Sequence, residues 1–140
     1  ADIKLQRVMM DVNASQAGRE NIASPKAAAL LMHKLIQGKL VNKEVSERTI
    51  DLLEYTSDIN GRLKAHLPKN CKVLFKPGQI PGVSTEWAIF YIHEKPVVVV
   101  AMESMIDENE NAETMEKAGL LIYKYFDKLY SASPYGAFFK

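Results

Sequence analysis

The sequence predicts an α+β fold built on a three-stranded antiparallel sheet. Lys72–Met102 contains three runs dense in β-branched and aromatic residues, placing strands at Cys71–Phe75, Thr85–His93 and Pro96–Met102. Such residues suit a pleated, half-buried surface. The breaks between the runs carry Pro81-Gly82 and His93-Glu94-Lys95. Both are shorter than the dozen or more residues that a parallel crossover takes, so the runs form a meander. On either side of it the apolar residues recur at helical spacing. One domain, residues 1–140, follows: a helical region 1–70 with a polar loop at 12–23, the meander 71–102, a helix 113–130 packed on the sheet, and a tail 131–140.

The elements can be justified in order. Ile3, Leu5, Val8, Met9 and Val12 predict a short helix over Ile3–Asp11, although no capping residue precedes it. Asn13–Ala23 is polar and aperiodic and reads as a surface loop, of a length that is often functional inside a compact domain. Ser24-Pro25 opens the next helix, because serine caps free N–H groups and proline suits the first helical position. Ala27, Ala28, Leu30, Leu31, Leu35 and Ile36 give its apolar stripe, and Gly38 ends it. Asn42 caps a second helix, Lys43–Tyr55, which should pack on the first. Arg62–Leu67 reads as one further turn closed by Pro68. Pro96 opens the third strand, where its missing N–H does least harm. Asp107–Glu113 reads as an acidic loop. Met115, Ala118, Leu121, Ile122, Tyr125, Phe126 and Leu129 form the face that lays the last helix across the sheet.

Composition excludes several classes of function. Eighteen basic against seventeen acidic residues leave a net charge of +1, which gives no electrostatic case for nucleic acid or an anionic membrane. Cys71 is the single cysteine, so no intrachain disulfide forms. No apolar run approaches the roughly 20 residues of a membrane helix. No leader is read at Ala1, and a processed secreted chain would begin in the same way. His33, His66 and His93 share no ligand spacing with Cys71, so neither a metal nor a cofactor is expected. Trp87 and its aromatic neighbours read as core.

The run Arg62-Leu63-Lys64-Ala65-His66-Leu67-Pro68, followed by a strand ending Lys76-Pro77-Gly78, resembles the second half of the class A β-lactamase family. That family belongs to the penicillin-recognising serine hydrolases, in which a strand ending Lys-Thr-Gly forms one wall of the active site. Ile80-Pro81-Gly82-Val83, Met9-Met10-Asp11, Arg19-Glu20-Asn21, the Ser24-Pro25 helix start and Ser133-Pro134-Tyr135-Gly136 are similar too. The resemblance spans nearly all 140 residues and implies a partial β-lactamase/transpeptidase-like fold.

Two family motifs have no match. The nucleophile of the family sits in Ser-x-x-Lys, and none of Ser15, Ser24, Ser46, Ser57, Ser84, Ser104, Ser131 and Ser133 has lysine three residues on. Ser-Asp-Asn is also absent, since Ser57-Asp58-Ile59 departs at its third residue and lies after the loop rather than before it. Both motifs belong to the family's N-terminal half. The chain is therefore expected to be a C-terminal part carrying no catalytic nucleophile, inert alone. In the family the last meander strand pairs with a strand of that half. Val97–Ala101 is then expected to be an open apolar edge that takes either the missing half or a second copy of the chain.

For the site, the resemblance implies three substrate-binding residues. Lys76 would hold a substrate carboxylate and support proton transfer, Gly78 would admit a ligand close to the backbone, and the N–H of Gln79 would serve as an oxyanion donor. The plain alternative is a solvated lysine and a loop after a strand. Pro77 stands where the family has threonine and supplies no hydroxyl, and no arginine follows Arg62 to fork a carboxylate. Asp11 and Glu20 are the carboxylates of the region where class A enzymes keep a deacylating glutamate, and Glu20 falls too close to Ser24-Pro25 to match. The alternative for both is bracing of the loop. β-Lactams or peptidoglycan-type peptides are the implied substrates of the complete fold, and an extracytoplasmic location is implied with them. A degenerate relative kept as a binding or sensor module is the competing reading, and an unrelated complete α+β domain is a third.

Overall fold

The computed structural model describes residues 3–55, 61–104 and 108–131. The element order is β1 (Ile3–Lys4), α1 (Val12–Gln16), β2 (Ile22–Ala23), α2 (Pro25–Ile36), α3 (Lys43–Tyr55), β3 (Lys72–Ile80), β4 (Val83–Ile92), β5 (Lys95–Ser104) and α4 (Glu108–Ser131). The main sheet has the order β3-β4-β5, antiparallel throughout. The class and the meander are those read from the sequence.

Alternation sorts the sheet residues onto two faces. Phe75, Ala88, Phe90, Val97 and Val99 point to one side, with Leu63 and the α4 residues Ile122, Tyr123, Phe126 and Tyr130 packed on them. Leu74, Ile89, Val98 and Trp87 point to the other, against Met32 and Leu35 of α2 and Ile50 and Leu53 of α3. A sheet covered on both faces explains why its strands read as near-continuous apolar runs. Phe75, Leu74, Ile89 and Phe90 are fully buried, and each contributes about 1.5–3 kcal/mol.

The helix pair is seated as its caps dictate. Ser24 accepts from the N–H of Ala27 at 3.2 Å, and Asn42 Oδ1 accepts from the N–H of Val45 at 2.8 Å. The Ser46 hydroxyl, fully buried, accepts from the N–H of Leu40 at 2.9 Å and so locks the α2–α3 connection. An ion pair between Glu54 and Lys72, 2.8 Å long, ties the end of α3 to the start of β3.

Besides shifts of one or two residues at the ends of β4 and β5, four elements differ from expectation. Ile3–Asp11 is not a helix. Its first residues form β1, paired with β2 in the register Ile3↔Ala23 and Lys4↔Ile22. Leu5, Val8 and Met9 are 82%, 74% and 84% exposed, so the apolar spacing has no surface among the described residues to bury against. The polar stretch 12–23 is not wholly loop, since it contains α1 and β2. Strand β3 runs on to Ile80, so Lys76-Pro77-Gly78 lies inside a strand rather than after one. Finally, α4 begins at Glu108. Acidic residues are favoured in a first helical turn by the helix dipole, so most of an acidic run read as a loop is the start of a helix. Ser57-Asp58-Ile59, Asp107 and the tail from residue 132, with Ser133-Pro134-Tyr135-Gly136, lie outside the described residues.

Candidate functional site

Strand β3 is one edge of the sheet, and the β3–β4 register fixes what that edge offers. Ile80 pairs with Val83 across the Pro81-Gly82 turn. Residues flanking a two-residue turn bond each other, and bonding alternates along an antiparallel pair. Ile80, Gly78 and Lys76 therefore direct their backbone groups at β4, and Gln79 and Pro77 direct theirs outward. The N–H of Gln79 faces the free edge. Pro77, which has no N–H, also stands where no ladder donor is needed, and this is why proline is tolerated inside the strand.

Lys76 sits on the face shared with α2 and α3, opposite Trp87. It is exposed, and its ammonium donates to the Pro77 carbonyl. Gly78 is opposite Thr85. A Cβ on Gly78 would lie 2.7 Å from the Thr85 hydroxyl oxygen, so a cross-strand side chain already requires glycine at this position. Gln79 is exposed.

The sequence reading overlooked what braces this edge. Glu86, opposite Pro77, is 5% exposed. Its two carboxylate oxygens accept from the N–H of Arg62 at 2.9 Å and of Leu63 at 2.7 Å. The Arg62 guanidinium reaches the Ser84 hydroxyl at 3.2 Å. The segment that carried the family resemblance is thus hung on β4 by a buried carboxylate. A lone glutamate in an alternating strand gives little hint of this, apart from its place on the inward parity. Trp87 packs in the core as expected, but its indole N–H is sealed from solvent with no partner among the described residues.

The loop carboxylates hold the loop. Asp11 caps α1, accepting from the N–H of Ala14 at 2.9 Å. Glu20 accepts from Arg7 Nε and pairs with its Nη2, each at 2.8 Å, and accepts from the Ser15 hydroxyl. The hydrogen bonds from Ser15 and Arg7 hold its carboxyl below the usual range. The N–H groups of Gln6 and Arg7 donate to Asn21 Oδ1 at 2.8 and 3.1 Å. Together with β1–β2 these contacts draw both ends of the loop into a clasp. Asp11 lines a recess with Arg7, Arg19 and Asn21 to which Lys76, Gly78 and Gln79 do not contribute.

A serine, a histidine and an aspartate do meet elsewhere. His93 Nε2 lies 2.9 Å from Asp127 Oδ1 and 3.1 Å from Ser131 Oγ. Both contacts fall on one ring nitrogen, whereas a relay needs the hydroxyl on one nitrogen and the carboxylate on the other. The set is a clasp between the β4–β5 turn and the end of α4. Among the described residues no group of three His, Cys, Asp or Glu side chains is placed to hold a metal ion, and no helix is long and apolar enough to cross a membrane.

Comparison with known proteins bears on what this edge belongs to. The model of the β-lactamase enzyme family matches residues 1–126. The chain belongs to the β-lactamase enzyme family. Solved structures agree in fold. TLA-1 extended-spectrum β-lactamase superposes with a TM-score of 0.73 at 17% identity, over 91% of this chain and 50% of that one. A class A β-lactamase from Bacteroides cellulosilyticus gives 0.70 at 17%, again over 91% and 50%. PBP-A gives 0.67 at 24%, over 79% of this chain and 42% of its own. No curated protein matches. The chain thus spans about half the length of these β-lactamase-fold structures, and what it carries is a class A β-lactamase-like part of that fold.

Proposed function

We propose that the chain is the C-terminal part of a class A β-lactamase-like serine hydrolase acting on β-lactams or peptidoglycan-type peptides. Strand β3 is its pocket wall. Lys76 supplies a positive charge near the substrate carboxylate, Gly78 keeps the wall low, and the N–H of Gln79 is the oxyanion donor. The observation that carries this reading is the outward N–H of Gln79 on a free strand edge, next to Lys76-Pro77-Gly78. The attacking serine and its lysine come from the complementary half, which also pairs with β5. Without that half, a second copy of the chain takes the Val97–Ala101 edge. Penicillin is a fitting ligand by analogy, since one solved PBP-A structure is an acyl-enzyme complex with penicillin G. The setting implied is bacterial and extracytoplasmic.

Glu20 is engaged by Arg7 and Ser15, and Asp11 is engaged at a helix cap, so both are proposed as loop-bracing groups rather than as a deacylating base. Pro77, lacking the family's hydroxyl, supports a second reading in which the complete protein is a binding or sensor module. The coding sequence on the N-terminal side of Ala1 separates the two. Ser-x-x-Lys there supports the enzyme, and its absence supports the module. For the chain alone, a chromogenic cephalosporin is expected to be hydrolysed no faster than with the Lys76→Ala variant. Turnover well above that control would place a nucleophile within these 140 residues and end the proposal.

A further inference from the structure

A recess of about 400 Å³ lies where the start of β3, the β4–β5 turn and Tyr123 of α4 meet. That volume falls in the range of small-molecule sites. Asn70, Cys71 and Lys72 line it from one side, Tyr91 and the turn residues His93 and Glu94 from another. No residue of β5 contributes, so the recess does not depend on what β5 pairs with.

The turn is built at a cost. His93 and Glu94 are its two central residues, with Ile92 opposite Lys95. Both are at positive φ, 48° and 63°. A turn of this kind favours Asn-Gly, and left-handed backbone is unfavourable for longer side chains. For His93 the cost is offset, because its Nε2 lies 2.9 Å from Asp127 Oδ1 and 3.1 Å from Ser131 Oγ. Glu94 gains no such contact. It is exposed, with no hydrogen-bonding or ionic partner among the described residues. A strained residue without a structural reason points to function, and this one borders the recess.

The groups around the recess restrict what it can hold. Its cations are already matched, Lys72 by Glu54 at 2.8 Å and His93 by Asp127. Burial, with Asp127 and Cys71 adding to it, pushes the Tyr123 phenol up, and burial does the same for the Cys71 thiol. Both groups therefore stay protonated and uncharged at neutral pH. What is left is the Glu94 carboxylate as acceptor, the Asn70 amide as donor and acceptor, and a phenol with an apolar ring. An anion would meet Glu94, and an ammonium group would meet Lys72. A neutral molecule rich in hydroxyls meets neither obstacle. We propose that the recess binds a sugar ring, with neighbouring hydroxyls donating to the Glu94 carboxylate, another bonded to Asn70, and the ring's apolar face toward Tyr123. The inference rests on the recess and its turn and not on the hydrolase reading.

Amide NMR spectra of the 140-residue chain, titrated with glucose, N-acetylglucosamine and a β-linked oligomer of N-acetylglucosamine, test the proposal. Saturable shifts at the amides of Cys71, His93 and Glu94 are expected at millimolar sugar. Saturation by either monosaccharide identifies the ligand as a free sugar, and saturation by the oligomer alone identifies it as a glycan chain. Glu94→Gln should weaken binding about tenfold, as for one hydrogen bond to a charged group. Glu94→Gly should abolish the shifts without lowering the melting temperature, because glycine adopts this backbone freely. That pairing separates a binding role from a structural one. No saturable shift with any of the three sugars, shifts confined to residues outside the recess, or Glu94→Gly binding as tightly as the native chain overturns the proposal. None of these outcomes bears on cephalosporin turnover.

Discussion

Glu86 is the residue that ties the segment after position 60 to the sheet beside β3. It sits across from Pro77 and holds the N–H groups of Arg62 and Leu63. Glu86→Ala leaves the buried N–H of Leu63 and the part-buried N–H of Arg62 without their acceptor, and urea denaturation should show a loss of about 2–4 kcal/mol. Glu86→Gln keeps one acceptor and should lose about half as much. Lys76, Gly78 and Gln79 were singled out in the sequence because Lys-x-Gly is a contiguous pattern. Glu86 was not, because its partners are backbone groups 23 and 24 residues away that leave no mark on side-chain spacing. The glycine at position 78 was read as room for a ligand, and the Thr85 hydroxyl is the nearer reason for it. Cys71 is half-buried, and burial pushes its thiol above the usual range. Reaction with a disulfide reagent at pH 8 should accordingly be slower than for a free cysteine peptide and should reach the peptide rate in urea.

At the scale of elements, the loop clasp titrates. The carboxyl of Glu20 is lowered from an ordinary value of 4.5, first by Ser15 and then by Arg7. A group depressed in the folded state contributes its full stabilisation above its ordinary value, and that contribution is lost as pH falls through the lowered value. Hydrogen-exchange protection of the Gln6 and Arg7 amides, corrected for intrinsic exchange, should hold steady above pH 5 and fall below about 4.5. In Arg7→Ala the loss should begin at higher pH. The docking of α4 is set by Gly119, where a Cβ would lie 1.9 Å from the Leu63 carbonyl oxygen. Gly119→Ala should cost about 3 kcal/mol in urea denaturation, because a backbone carbonyl cannot step aside. Elements with their own local signals were readable: Ser24-Pro25 for α2, Asn42 for α3, and Pro81-Gly82 for the β3–β4 turn. Misread elements depended on distant partners. The spacing of Ile3–Val12 is helical, yet Asn21 and β2 take its backbone groups. The acidic start of α4 resembles a solvated loop until the helix dipole is counted.

At the scale of the molecule, both faces of the sheet are covered, and among the described residues β3 and β5 are its edges. The β3 edge presents Lys76-Pro77-Gly78 and an outward N–H, and the proposed function rests on it. These edges follow from the strand order β3-β4-β5, and the order was legible from short connections alone. Which edge offers which donors needed the register, because one residue of slip would exchange inward and outward groups along every strand.

The central claim, that the chain is a pocket wall without an attacking group, meets its most direct test in mass spectrometry of the intact 140-residue chain after incubation with excess penicillin G. The expected spectrum contains the unmodified mass alone, for the native chain and for Lys76→Ala alike. A stoichiometric penicilloyl adduct on one serine of the native chain, lost in Lys76→Ala, would contradict the claim.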